Sequence, residues 1–96
     1  MLRHVAVFTF HPGTSPEQVQ ALSDGLARLP GLISDIRAYA FGRDAGLAPG
    51  NDEFSVVADF DDSDGYGRYA AHPAHQEVLA TLVKPILATR HAVQFV

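Results

Sequence analysis

Residues 4–18 read HVAVFTFHPGTSPEQ, a β-rich run followed by a break and a helix start. The β-branched and aromatic side chains of residues 4–10 predict a strand, which the proline and glycine of residues 11–13 end. Ser15 can cap a following helix, and Gln18 completes an S-x-x-Q capping box around a proline that suits the first helical turn. This stretch is therefore a β–α unit with a well-defined junction.

Apolar periodicity and the positions of glycine and proline place the remaining elements. Apolar residues at helical spacing continue to Pro30-Gly31, which predicts the end of the first helix there. The residue before a proline disfavours helical geometry, so a second helix is predicted to break at His72-Pro73. The other predicted elements are a strand at 33–42, a loop from Arg43 to Asp52, a strand at 54–60, a helix from near residue 63 to Lys84-Pro85, and a last strand at 91–96.

The resulting order, β-α-β-β-α-β, predicts an α+β domain of ferredoxin-like type with a four-stranded antiparallel sheet. Its two helices cover one face of the sheet, yet both faces of the predicted strands carry apolar side chains. On the first strand, one face holds His4, Ala6, Phe8 and Phe10, and the other holds Val5, Val7 and Thr9.

The second apolar face requires a cover, because soluble monomers seldom expose so large an apolar patch. Packing it on the same face of a second copy would bury it in a two-fold arrangement. We therefore expect a homodimer joined through the sheet face. A monomer with a few exposed valines is the alternative.

Composition narrows the class of protein further. The 96 residues suffice for one domain, 1–96, and 47% of them are apolar. The net charge is −4 and the seven basic residues form no stripe, so we expect no nucleic-acid partner. The absence of cysteine excludes disulfides and thiol chemistry. Without a signal peptide or an apolar run approaching about 20 residues, we expect no membrane partner and a cytoplasmic location.

One cluster has side chains suited to chemistry, namely Tyr69, His72 and His75 around the predicted helix break. With His72 as the cap, His75 lies in the first turn, where the helix dipole disfavours imidazolium. A neutral imidazole beside a phenol is a workable general base with a hydrogen-bonding partner. His4 starts the first strand, on the face assigned to the helices.

Each of these residues also has a structural interpretation. His72 before a proline is typically a capping or turn residue, and we favour that role for it. His75 can satisfy backbone groups, Tyr69 can be a packed aromatic, and His4 can be an ordinary strand residue. A metal site of these histidines is disfavoured, because Pro73 interrupts the helix that would align two of them. We therefore expect no metal.

Four short motifs occur in order along the chain. They are Arg3-His4-Val5, Gly42-Arg43-Asp44, Ala58-Asp59-Phe60-Asp61 and the segment YAAHPAH at residues 69–75. In this order they resemble the stress-responsive dimeric α/β-barrel (Dabb) family, over nearly the whole chain. The resemblance implies a ferredoxin-like subunit and a dimer in which two sheets form a central barrel.

The resemblance also implies a site, because the family includes plant olivetolic acid cyclase, a polyketide cyclase that uses no cofactor. By similarity, His75 would remove a proton, Tyr69 would hold or polarise a carbonyl, and His4 would support the site. The pocket would lie between helices and sheet and would have as its binding residues Ala6, Val56, His72 and Val78.

Three functions follow as hypotheses. The first is a dimer that binds a small, largely apolar carbonyl compound in a stress-response role. The second is a cofactor-independent polyketide cyclase-like enzyme with His75 as general base and Tyr69 polarising a carbonyl. A cofactor-free monooxygenase of the antibiotic-biosynthesis type is a third, which the order of motifs fits less well.

Overall fold

The computed structural model describes residues 1–96 and contains one four-stranded antiparallel sheet in the order β2-β3-β1-β4. This arrangement confirms the predicted ferredoxin-like α+β fold. The elements are β1 (Leu2–Phe10), α1 (Pro16–Leu32), β2 (Ala38–Arg43), β3 (Phe54–Phe60), α2 (Ser63–Ala71), α3 (Pro73–Val78), a π-helical turn (Leu79–Val83) and β4 (Leu87–Phe95). None of the helices has the length and apolar character that crossing a bilayer requires.

The first helix begins as predicted but ends later. Both bonds of the predicted capping box are present between Ser15 and Gln18. At the other end, α1 continues through Pro30 to Leu32, so the predicted stop was wrong. The amide of Ile33 donates to the Leu29 carbonyl at 2.9 Å, and both side chains are fully buried. Burial of these two residues therefore outweighs the unfavourable proline.

Three strands differ from their predicted bounds. The second was predicted at 33–42 but is Ala38–Arg43, because residues 33–36 form a turn closed by the Ile36 amide and the Ile33 carbonyl at 3.2 Å. The first begins at Leu2 rather than at residue 4. The last begins at Leu87 rather than at residue 91, because pairing with β1 extends to Phe10.

The central strand β1 shows the predicted division of the sheet into two faces. His4, Ala6, Phe8 and Phe10 are buried beneath the helices. The opposite surface, which we call the outer sheet face, consists of Val5, Val7, Val57, Val93 and Phe95. Val93 and Phe95 are 56% and 50% exposed in the single chain. A large apolar surface is thus left without a cover.

Glycine allows α1 to approach the π-helical turn closely. Gly25 is buried in α1, and a Cβ at this position would overlap the Leu82 side chain. A glycine inside a helix is unfavourable by itself, so the close packing accounts for its presence.

Candidate functional site

The break between α2 and α3 positions the cluster of residues 69–75. His72 has the extended backbone expected before a proline, and its Nδ1 accepts a hydrogen bond from the Ala74 amide at 3.0 Å. His72 therefore caps α3, the role that the sequence favoured for it. Its side chain does not line the pocket described next, although His72 was among the predicted binding residues.

A pocket of about 360 Å³ lies between the helices and the covered face of the sheet. This volume falls in the range of small-molecule sites. Eleven of its sixteen lining residues are hydrophobic, so its walls suit a largely apolar molecule. It brings together six of the seven predicted site residues, namely His4, Ala6, Val56, Tyr69, His75 and Val78.

The π-helical turn contributes a wall of this pocket through Leu79 and Val83. The turn ends where the Lys84 amide donates to the Leu79 carbonyl at 2.9 Å. Single π-helical turns are frequently found at functional sites. This turn could not be predicted from the sequence, because its apolar residues have ordinary helical spacing.

Tyr69 and His75 lie in contact, with ring centroids 4.2 Å apart. The Tyr69 hydroxyl forms a hydrogen bond of 2.9 Å with the Tyr39 hydroxyl, in which either group can donate. Burial raises the pKa of both phenols, so both stay protonated near neutral pH. When Tyr39 donates, the Tyr69 O–H is available to a ligand.

The hydrogen bonding of His75 fixes its tautomer. Its Nδ1 lies 3.1 Å from the Ala70 carbonyl oxygen, which can only accept, so Nδ1 carries the proton. Burial lowers the pKa of the ring below its ordinary value, against a smaller opposing effect of the bond to Ala70. The neutral ring therefore has an unprotonated Nε2, which is the form required of a general base.

His4 has the opposite tautomer. The Gln94 side-chain amide donates to its Nδ1 at 2.8 Å, so the proton of the neutral ring is on Nε2. Burial, with smaller effects of Arg90 and His75, lowers the pKa of His4 to about 4. The pocket therefore contains one imidazole that accepts at Nε2 and one that donates there. Together they can bind a carbonyl oxygen and accept a proton.

Several residues that line the pocket or contact its lining were not predicted as site residues from the sequence. Tyr39 and Tyr66 contact the predicted site, the first through Tyr69 and the second through His4, whose ring centroid is 5.0 Å away. Arg90 was missed because the last strand was predicted too short. Gln94 could have been predicted, because the alternation of side chains along the last strand places it on the covered face of the sheet, where it lies opposite His4. No group of three His, Cys, Asp or Glu side chains is arranged to hold a metal ion.

Comparison with known proteins places this geometry in a family. The family model of the stress responsive A/B barrel domain (Dabb) matches residues 2–96. The stress-response A/B barrel domain-containing protein HS1 of Arabidopsis thaliana is 31% identical over 78 residues, covering 79% of this chain and 72% of that protein.

Solved structures agree with this match. A protein from Thermobifida fusca, described as dimeric and ferredoxin-like, has a TM-score of 0.91 and 46% identity over 98% of this chain and 88% of its own. A Dabb family protein with a ferredoxin-like fold from Mesorhizobium loti has a TM-score of 0.80 and 26% identity, covering 99% of this chain and 94% of its own.

Proposed function

This chain belongs to the stress responsive A/B barrel domain family, and we propose that it binds a small, largely apolar carbonyl compound in the pocket beneath its helices. The observation that carries the proposal is the pairing of apolar walls with the neutral His4 ring. Its Nε2–H can donate to a carbonyl oxygen, and its lowered pKa keeps it uncharged at neutral pH. A stress-response role is in keeping with the description of the Arabidopsis relative.

Titration with 2-octanone tests this proposal, with amide chemical shifts in ¹⁵N–¹H spectra as the measurement. We expect shifts to concentrate at Ala6, Val56 and Val78, and Ala6→Leu to abolish them by filling the pocket. The matched control, Ala27→Leu, adds the same volume at an exposed position of α1 and should bind normally. Binding that survives Ala6→Leu in a folded protein would contradict the proposal.

We further propose that the protein works as a homodimer joined through the outer sheet face. Val93 and Phe95 leave about half of their surface exposed in one chain, next to the half-buried Val5, Val7 and Val57. Burying apolar surface of this kind stabilises association by about 25 cal/mol per Å² before the losses on binding are subtracted. The Thermobifida relative is itself described as dimeric, which supports the proposal.

A specific observation favours catalysis as a second candidate function. His75 lines the pocket, its Nε2 is unprotonated, and its ring contacts the Tyr69 ring. In a cofactor-independent cyclase-like reaction, Nε2 would remove a proton from the carbon next to a carbonyl, while the Tyr69 O–H polarises that carbonyl. The enolate so formed would attack a second carbonyl of the same molecule, so that a carbon–carbon bond forms as the π bond of that carbonyl breaks. The resulting alkoxide would take back the proton from His75, which returns the ring to its neutral form.

Hydrogen exchange provides a test that needs no natural substrate. An enolising site should accelerate deuterium uptake from D₂O next to the carbonyl of 2-octanone, and His75→Ala should remove that acceleration. The matched control is His11→Ala, an exposed histidine in the turn after β1. Acceleration that persists in His75→Ala would exclude His75 as the base.

A further inference from the structure

We infer that the pocket selects an apolar compound that carries a carboxylate, with the carboxylate bound by Arg90 and Lys84. The inference deepens the proposed function and rests on it, since it names the chemical class of ligand for the same pocket. Three observations support it: the pocket lining has two cations and no anion, neither cation forms an ion pair within the chain, and Arg90 lies near both pocket histidines.

The pocket has cations without anions. Lys84 and Arg90 are among its lining residues, and the lining contains neither aspartate nor glutamate. The whole chain has eleven acidic and only seven basic residues, so the charge of the pocket lining is opposite in sign to that of the chain. Such a lining attracts a negatively charged ligand.

Neither cation is neutralised within the chain. The three ion pairs of the protein join Arg3 to Asp59, Arg37 to Asp61 and Arg68 to Asp35. Arg90 and Lys84 make no side-chain hydrogen bond. An arginine fork is well shaped for a carboxylate, which it can hold with two parallel bonds, while lysine adds a point charge.

Arg90 lies close to the reactive residues. On β4 it faces Phe8 of β1, on the covered side of the sheet that also presents His4. Burial is the main cause of the lowered pKa of His4 and of His75, and the Arg90 charge contributes to the lowering of both. A carboxylate bound at Arg90 would therefore leave the remainder of the ligand beside both imidazoles.

Lys84 and Arg90 flank the apolar part of one wall. Lys84 follows the π-helical turn and Arg90 lies within β4, with Leu87 between them in the chain. Leu87 lines the pocket as well. The arrangement fits an amphipathic ligand whose acidic group meets solvent at the two cations and whose apolar body enters the pocket. A carbonyl on that body would meet the N–H of His4.

A matched pair of probes tests the inference, because octanoate and octanamide have the same length and differ in charge. Calorimetric titration at pH 7 should show octanoate binding about tenfold more tightly than octanamide, as expected of a charge-assisted hydrogen bond. Arg90→Gln should remove most of that preference, because it should weaken octanoate binding far more than octanamide binding. Lys84→Gln should reduce it less, and Arg90→Lys should retain part of it.

The control variant is Arg43→Gln, which removes an exposed arginine outside this pocket and should leave the affinity for octanoate unchanged. Equal affinity for the two probes, or an octanoate preference that survives Arg90→Gln, would overturn the inference while the pocket remains a ligand site. Failure of octanoate, octanamide and 2-octanone all to bind would instead contradict the proposed function, and the inference with it.

Discussion

Gln94 donates a hydrogen bond to His4 across two paired strands, with 2.8 Å between the amide nitrogen and Nδ1. Ninety positions separate the two residues in the chain. The bond places the imidazole proton on Nε2, whereas the bond from His75 to the Ala70 carbonyl leaves Nε2 of that ring unprotonated. The two histidines of the pocket therefore differ at Nε2, which can donate a hydrogen bond in His4 and can accept a proton in His75.

Changing Gln94 should change the protonation of His4. Gln94→Glu places a carboxylate beside Nδ1, which favours imidazolium, so we expect the pKa of His4 to rise from about 4 by at least about one unit. Gln94→Met, which removes the donor without adding charge, is the control and should not raise it in this way. Histidine ring shifts followed by NMR between pH 3 and 8 measure both. If the pKa of His4 were unchanged in Gln94→Glu, residue 94 would not contact the His4 ring.

Acid should destabilise the protein through His4. The unfolded chain binds a proton near the ordinary pKa of 6.5, whereas the folded chain does so only near 4. The contribution of His4 to stability is therefore complete above pH 6.5 and is lost as the pH falls to about 4, by about 1–3 kcal/mol. Urea unfolding at several pH values measures the loss.

Replacing His4 provides the comparison for that pH series. His4→Gln should flatten the dependence of the unfolding free energy on pH between 4 and 6.5. His11→Gln removes an exposed histidine and serves as the matched control. An equal slope in the wild type and in His4→Gln would show that another group causes the acid sensitivity.

The hydroxyl groups of Tyr39 and Tyr69 should have non-additive effects on the unfolding free energy. Each hydroxyl is the partner of the other at 2.9 Å, and Tyr69 is only 3% exposed. Tyr39→Phe and Tyr69→Phe should each lower the unfolding free energy by about 1 kcal/mol, because each leaves a polar partner without its bond. The double variant should lose less than the sum of the two, and additive losses would indicate that the bond contributes nothing.

Charge on the outer sheet face should separate the dimer. Val93→Asp changes a side chain that is already 56% exposed in one chain, so the subunit should still fold. Val5→Asp tests the centre of the same face. Sedimentation velocity should report monomers for both variants and dimers for Ala27→Asp, a control on the exposed side of α1. Dimers that persist in both variants would place the interface elsewhere.

The features predicted correctly from the sequence depend on neighbouring residues. The cap formed by Ser15 and Gln18 and the helix break before Pro73 are local, and a period of two divides each strand between faces. The start of α2 is local as well, because Asp62 caps the helix that was predicted to begin near residue 63.

The features that the sequence did not predict depend on distant contacts. Pro30 remains helical because Leu29 and Ile33 are buried by other elements. Arg90 lines the pocket because β4 already pairs with β1 from Leu87, before the predicted start of the strand at residue 91. The tautomers of His4 and His75 depend on single hydrogen-bonding partners, which residue spacing does not reveal.

Intermolecular nuclear Overhauser effects measured on the complex with 2-octanone test the central claim most directly. The proposed binding mode predicts contacts from the octanone chain to the methyl groups of Ala6, Val56 and Val78, which line the pocket. Contacts confined to Val93 and Phe95 on the outer sheet face, or the absence of any contact, would contradict it.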